Sequence, residues 1–223
     1  MHFAVIVFPG SNCDHDAYHV FRHILDVPVD FVWHRETDLK KYDAIIIPGG
    51  FSYGDYLRTG AIARFSPVME SVIKEAHAGK PVFGICNGFQ ILIESGLLPG
   101  ALIINQDVRF LSQDVTLEVE STDSIYTRSL QKGRKLTMPI AHKQGNFIAN
   151  DDTLKMLEVE DRIAFRYNKG KNGNPNGSTN RIAGILNKKR NVLGMMPHPE
   201  RAVESILGSD DGIDIFKSMI GVA

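Results

Sequence analysis

The residues best placed to do chemistry are a cysteine, a histidine and a glutamate, far apart in the chain. Cys86 sits in the frame Gly84-Ile85-Cys86-Asn87-Gly88, between an apolar run (Pro81 to Ile85) and an apolar-periodic stretch (Phe89 to Ile93). That pattern predicts strand, sharp turn and helix, with the thiol at the turn. Flanking glycines suit such an elbow because strand and helix pack too closely there for side chains. A helix N-terminus also favours a thiolate, through its dipole and its free N–H groups. Taken alone, the frame fits a buried structural thiol equally well. A nucleophilic cysteine further needs a base, a group that orients the base, and donors for a developing oxyanion. Met196-Pro197-His198-Pro199-Glu200 offers the first two. Both Met196 and His198 precede prolines, which predicts an extended segment in which His198 and Glu200 share a face. Ile47-Pro48-Gly49-Gly50-Phe51-Ser52 offers the third, with the N–H groups of Gly49 and Gly50 completed by that of Asn87.

The elements that must hold these residues are short apolar runs alternating with helical patterns. Phe3–Phe8, Val29–Trp33, Ala44–Ile47 and Val82–Ile85 read as buried strands, and Asp14–Leu25 and Ala61–Ala78 as helices between them. Strand–helix alternation predicts an α/β fold with a mostly parallel sheet covered on both faces. The later half differs: Val115–Val119 alternates, and Lys135–Ile140, Ile163–Tyr167, Ile182–Leu186 and Val192–Met196 read as mixed or antiparallel strands before a terminal helix at Asp211–Ile220. No linker divides the chain, so residues 1–223 are expected to form one domain. A glycine-rich loop after the Ala44–Ile47 strand falls where open parallel sheets bind ligands.

Composition narrows the function classes. The chain is 43% hydrophobic and 23% charged, with a formal net charge of -1, which gives no reason to expect a nucleic acid or an anionic membrane as partner. Two cysteines, Cys13 and Cys86, imply no disulfide framework and fit a reducing compartment. The N-terminal apolar run lacks a basic flank and stops at Pro9, reading as a strand and not a signal peptide. No run approaches the roughly 18 apolar residues of a membrane span. A cytoplasmic protein is expected.

The motifs together resemble one family. Pro9-Gly10-Ser11-Asn12-Cys13-Asp14, the run Pro-Gly-Gly-Phe-Ser-Tyr-Gly-Asp-Tyr-Leu-Arg from Pro48 to Arg58, Gly60-Ala61-Ile62-Ala63-Arg64, Cys86-Asn87-Gly88-Phe89-Gln90 and Gly194 to Ala202 are similar to the triad (class I) glutamine amidotransferases. More narrowly, they resemble the glutaminase subunit of phosphoribosylformylglycinamidine synthase, in its separate-subunit form. The resemblance implies a flavodoxin-like fold and a catalytic Cys86, His198 and Glu200. It implies an oxyanion hole from Gly50 and Asn87, and glutamine contacts from Gly49, Gly50 and Gln90. It also implies hydrolysis of glutamine through a Cys86 thioester, with ammonia passed to a small-form synthetase subunit that works with a small accessory subunit. No metal or cofactor is expected in this chain, ATP and magnesium being used by the synthetase. Two stretches depart from the family. Lys143 and Gln144 stand where His-Gly-Glu-Gly is common, and Leu111-Ser112-Gln113 replaces a stretch that often carries cysteine and arginine.

Other assignments explain less. Cysteine peptidases and chaperone-like hydrolases of similar fold commonly place histidine directly after the nucleophile, where this chain has Asn87. A catalytically silent binding module would be expected to have lost Cys86, His198 or Glu200. His15, His19 and His23 share one predicted helix face at zinc-compatible spacing, but Asp16 stands where a metalloprotease helix needs glutamate. A polar stripe is the expectation there. Asn168–Asn180 is glycine-rich, but no Gly-Lys-Ser/Thr follows it, so an exposed turn is expected and not a phosphate loop.

Overall fold

The computed structural model describes residues 1–170 and 173–222. Lys171 and Asn172, in the predicted Asn168–Asn180 loop, and the terminal Ala223 lie outside the described residues. In chain order the elements are β1 (Phe3–Val7), α1 (Asp14–His19), β2 (Val29–Trp33), β3 (Ala44–Ile47), α2 (Pro67–His77), β4 (Val82–Ile85) and α3 (Asn87–Glu94). Then come β5 (Ala101–Ile103), β6 (Leu111–Val119), β7 (Lys135–His142), β8 (Asn146–Ile148), α4 (Asp151–Val159), β9 (Ile163–Tyr167), β10 (Ile182–Leu186), β11 (Val192–Met195) and α5 (Ile213–Ile220).

Nine strands form one sheet in the order β2-β1-β3-β4-β11-β10-β9-β6-β7, and β5 pairs with β8 apart from it. From β2 to β11 every pairing is parallel; from β11 to β7 every pairing is antiparallel. β3 and β4 read Ala-Ile-Ile-Ile and Val-Phe-Gly-Ile and are buried along their whole length, as strands covered on both faces must be. β6 and β7 alternate instead: Val115, Leu117 and Val119, and Leu136, Met138 and Ile140, face the core. Strand order reverses between β1 and β3, because β1 leads to β2 on one side and β3 leads to β4 on the other. Right-handed crossovers then set α1 and α2 on opposite faces. The loops leaving β1, β3, β4 and β11 all emerge at the same carboxyl edge, where such sheets bind ligands.

Three expectations need correction. Ala61–Ala78 is not one helix: a 3₁₀ turn at Ala63–Phe65 ends before α2. Ser66 precedes Pro67 and takes an extended conformation (φ −63°, ψ 142°), which breaks the helical run. The Asp14–Leu25 segment is α-helical only to His19 and continues as a π-helical turn, Val20–Ile24. The glycine-rich loop is not simply exposed, since Asn176 and Ser178 are buried. Asn176 Nδ2 donates to Gly145 O (2.8 Å) and Tyr167 Oη (2.9 Å).

Candidate active site

Cys86 ends β4 and begins α3 with φ 50° and ψ −104°. A β-carbon-bearing residue rarely holds a positive φ, and strain of this kind collects at functional sites. The backbone holds it there: Cys86 N donates to Met195 O (2.8 Å) and Gln90 N to Cys86 O (3.2 Å). The flanking glycines are required by space. A Cβ on Gly88 would overlap the Ile47 carbonyl oxygen, and one on Gly84 would strike the side chain of Leu92 and lie 2.7 Å from Gly88 O. The elbow expected from the sequence is present, with its thiol buried at the first turn of α3.

His198 and Glu200 meet as expected, by a different route. Pro199–Arg201 form a 3₁₀ turn, not a strand, and the turn brings Glu200 Oε1 to 2.6 Å from His198 Nδ1. His198 N donates to Pro139 O (2.8 Å), fixing the segment against β7. Both side chains are almost fully buried. The carboxylate can only accept, so Nδ1 carries a proton and Nε2 is left for exchange with the thiol. His198 Nε2 and Glu200 Oε2 have no hydrogen-bond partner among the described residues. Burial works against a charged imidazole here, but Glu200 and Cys86 outweigh it and raise the His198 pKa well above its usual value. The arrangement favours a charged imidazolium at His198 beside the Cys86 thiol.

Gly49 lies between these groups. A Cβ there would be 2.7 Å from His198 Cε1, 3.2 Å from Cys13 Sγ and 3.4 Å from Cys86 Cβ. Gly50 has φ 126°, and a Cβ on it would stand 2.7 Å from Asn12 N. The N–H groups of Gly50 and Asn87 have no acceptor among the described residues, as an oxyanion site requires.

A cavity of about 250 Å³ opens beside Cys86 and is lined by Gly50, Asp55, Thr59, Gln90 and Gln144, among others. Its size suits a small amino acid. Gln90 lines it, with both ends of its amide engaged within the protein. Its Nε2 donates to Gln144 O (2.6 Å) and its Oε1 accepts from Asn87 Nδ2 (2.9 Å). Gln90 therefore also ties α3 to the loop after β7. Gln144, one of the departures from the family pattern, is the other end of that tie, and its Oε1 accepts from Thr59 Oγ1 (2.9 Å).

Sequence reasoning did not pick out Asp55, Asn105 or His142. Burial pushes the Asp55 carboxyl up to about 6, against a hydrogen bond from Asn87 Nδ2 at 3.3 Å. Asn105 Nδ2 donates to the carbonyls of Arg109 and His142, so its Oδ1 accepts from Gly145 N (3.0 Å) and from the ring Nδ1 of His142 (3.1 Å). That bond places a His142 proton on Nδ1; burial, then the nearby His198, depresses its pKa to about 3 and keeps the ring neutral. Asp55 falls within the Pro48–Arg58 run, but nothing local there foretells its burial against Asn87, and the ties of Asn105 and His142 join segments remote in sequence.

The histidine stripe does not converge on a point. His15 Nδ1 faces Asp14 (3.3 Å), His19 Nε2 faces Glu204 (3.1 Å), and the His23 ring lies 5.4 Å from that of His19. Cys13, from the loop after β1, instead reaches the active site, where Arg201 Nη2 donates to its Sγ at 3.1 Å.

Comparison with known proteins places this geometry. Residues 1–211 match the CobB/CobQ-like glutamine amidotransferase domain family. The chain is 56% identical to the phosphoribosylformylglycinamidine synthase subunit PurQ of Koribacter versatilis, over 99% of this chain and 98% of that one. Among solved structures it is similar to PurLQS from Thermotoga maritima, with a TM-score of 0.89, 45% identity, and 99% and 97% of the two chains covered. A glutamine amidotransferase from the same organism, 16% identical with a TM-score of 0.59 over 91% and 77% of the two chains, shares the fold. The sheet, the cysteine elbow and the buried histidine–glutamate pair thus occur in a chain that belongs to the CobB/CobQ-like glutamine amidotransferase family, on the branch of its PurQ subunits.

Proposed function

We propose that this chain is the glutaminase subunit of a phosphoribosylformylglycinamidine synthase, making ammonia from glutamine for a partner that completes an ATP-dependent amidination in purine biosynthesis. The observation that carries the chemistry is the Glu200–His198 contact of 2.6 Å, which leaves Nε2 free on a ring that also faces Cys86. The Cys86 thiolate attacks the side-chain amide carbon of glutamine, and the oxyanion develops toward the N–H groups of Gly50 and Asn87. The His198 imidazolium gives its proton to the leaving nitrogen, the C–N bond breaks, and ammonia departs from a Cys86 thioester. Water then attacks the thioester, His198 takes its proton, and glutamate is released with the thiol restored. Glu200 holds the ring and offsets its charge throughout. Gly49 leaves room for the reacting groups, and Gln90 forms part of the substrate cavity wall.

The partner would be a small-form synthetase subunit with a small accessory subunit. Phe51 and Phe110 line the cavity and stay exposed, and Tyr56 and Leu57 follow on the same loop as Phe51. An exposed apolar rim around a catalytic mouth suits a docking subunit. Binding and hydrolysis of glutamine need no cofactor from this chain; ATP and magnesium would serve the synthetase. Both cysteines are free, and no helix among the described residues is long and apolar enough to cross a membrane. These features fit a cytoplasmic site of action.

Alkylation by an electrophilic glutamine analogue, read by peptide mass spectrometry, tests the assignment. Labelling is expected at Cys86, abolished by Cys86→Ala and suppressed by excess glutamine. Labelling at Cys13 would overturn it. Glutaminase turnover is expected to be low for the isolated chain and to rise on adding the synthetase, and strong turnover without the partner would remove the gating idea.

A further inference from the structure

We infer that Asp55 and Lys143 select the substrate by its α-amino-acid end, the Asp55 carboxylate taking the ammonium and the Lys143 side chain taking the carboxylate. The inference rests on the glutaminase reading and names two residues that set its specificity. Among the described residues lining the cavity beside Cys86, Asp55 is the one acid and Lys143 the one lysine or arginine. His142, also in the wall, is kept neutral by burial. Neither charge is neutralised within the protein. Asp55 accepts a hydrogen bond from Asn87 Nδ2 (3.3 Å), and no cation among the described residues offsets its burial. The lysines that pair with carboxylates are Lys41, Lys80 and Lys217. A half-buried carboxylate without a cation carries a desolvation cost that an incoming ammonium offsets. A free α-amino acid brings one charge of each sign on a single carbon, which complements such a wall.

The two residues stand on different loops, Asp55 after β3 and Lys143 between β7 and β8, and the loops are tied together. Thr59 Oγ1, four residues past Asp55, donates to Gln144 Oε1 (2.9 Å), and Gln90 Nε2 donates to Gln144 O (2.6 Å). Asn87, next to the nucleophile, grips the Asp55 loop twice: its Oδ1 accepts from Ser52 N (3.2 Å) and its Nδ2 reaches Asp55. On the other side, Lys143 O accepts from Asn105 N (2.9 Å). The backbones that carry both charges are thus held at a set spacing around the cavity. The side chains differ in setting. Asp55 is half-buried, whereas Lys143 is exposed. Solvent and salt screen the lysine more strongly, so Asp55 contributes the larger share of selectivity.

Two trimmed analogues separate the charges: 4-carbamoylbutanoate is glutamine without its ammonium, and 4-aminobutanamide is glutamine without its carboxylate. Each is compared with glutamine in the complete enzyme, as substrate or as competitive inhibitor. Asp55→Asn is expected to raise the KM for glutamine by at least about tenfold, with kcat within a few-fold of wild type. The KM or inhibition constant of 4-carbamoylbutanoate should not move, and Asp55→Glu should recover part of the loss. Lys143→Met is expected to raise the KM for glutamine about two- to fivefold, less at high salt, and to leave 4-aminobutanamide unchanged. Lys143→Arg should behave as wild type. An equal weakening of glutamine and 4-carbamoylbutanoate in Asp55→Asn would mean that Asp55 only shapes the cavity, and would overturn its part. An unchanged KM for glutamine in both variants would overturn the whole. Calorimetric titration of glutamine into the complex carrying Cys86→Ser reads binding without turnover, and Asp55→Asn is expected to weaken it by the same factor. Asp55-dependent glutamine binding in a wild-type complex that releases no glutamate would sink the glutaminase reading and leave this site standing. Turnover with unaltered discrimination would do the reverse.

Discussion

The parallel and antiparallel halves of the sheet are built on different terms. The parallel half carries the proposed nucleophile Cys86, the proposed base His198 with its carboxylate Glu200, and the N–H groups of Gly50 and Asn87 proposed for the oxyanion, on loops at the carboxyl ends of β3, β4 and β11. Its tolerances are backbone tolerances, set by glycines against carbonyls and by a cysteine at φ 50°. The antiparallel half supplies walls and ties. Pro139 O anchors His198, Gln144 O holds Gln90, and Asn176 supports Gly145. A change in the first half should therefore appear in the chemical step, and a change in the second mostly in stability.

Glu200→Gln presses hardest on that distinction. The amide can present its NH₂ to His198 Nδ1, which would move the ring proton to Nε2 and leave no lone pair facing the thiol. Turnover is expected to fall by about 10³–10⁴-fold, with melting temperature little changed. Steady-state glutaminase assays of the complex check this, and a loss below about tenfold would mean that Glu200 does not set the tautomer. Next comes Gly88→Ala, whose new methyl overlaps the Ile47 carbonyl. A displacement of the elbow by about 1 Å is expected to cost on the order of 10²-fold in kcat, with a lower melting temperature from the strain. Unchanged kinetics would show that the strand and helix can separate without moving Cys86.

Asn176→Ala probes the other half. It removes the buried donor of the Tyr167 hydroxyl and the nearer of the two donors to the Gly145 carbonyl, Ser178 Oγ remaining at 3.3 Å, for a loss of about 1–3 kcal/mol. Urea unfolding is expected to show that loss while kcat stays within a few-fold of wild type. If kcat instead falls as far as in Glu200→Gln, the division between chemistry and support fails.

The same division explains what could be read from the sequence. Cys86, Gly49 and Gly50 announce themselves because a tight turn leaves few residue choices, and glycine and proline mark those choices locally. His198 and Glu200 were readable as a pair, although the 3₁₀ turn that joins them was not: a proline on each side of His198 permits both extended and turned backbone. The four pairings from β11 to β7 were readable as strands but not as an order, since register between strands distant in sequence leaves no local trace. Asn105, His142 and Asn176 were invisible for a related reason. Each is a polar residue in a loop or at a strand end until folding buries it. The break before α2 did have a signal, the Ser66-Pro67 step, which the helical periodicity of Ala61–Ala78 masked.

Asp55 gives the smallest effect, and one that sharpens the comparison within the parallel half. It lies on the loop after β3, where Tyr53, Asp55 and Leu57 all have positive φ, and this loop lines the cavity beside Cys86. Burial raises its carboxyl from 3.8 to about 6. Between those values the folded protein keeps the proton that the unfolded chain has lost, so stability is fully present below about pH 4 and declines as pH rises through 6. Because Asp55 is only half-buried, solvent screens much of the penalty, and the difference should amount to no more than a few degrees in melting temperature. Asp55→Asn is expected to remove that decline between pH 4 and 6 while leaving the loss from other groups in place. Identical slopes for the two proteins would mean that Asp55 ionises in the folded state as it does in water. The loop would then be open enough to hydrate its carboxylate, and the rigidity ascribed to the parallel half would end at Gly50.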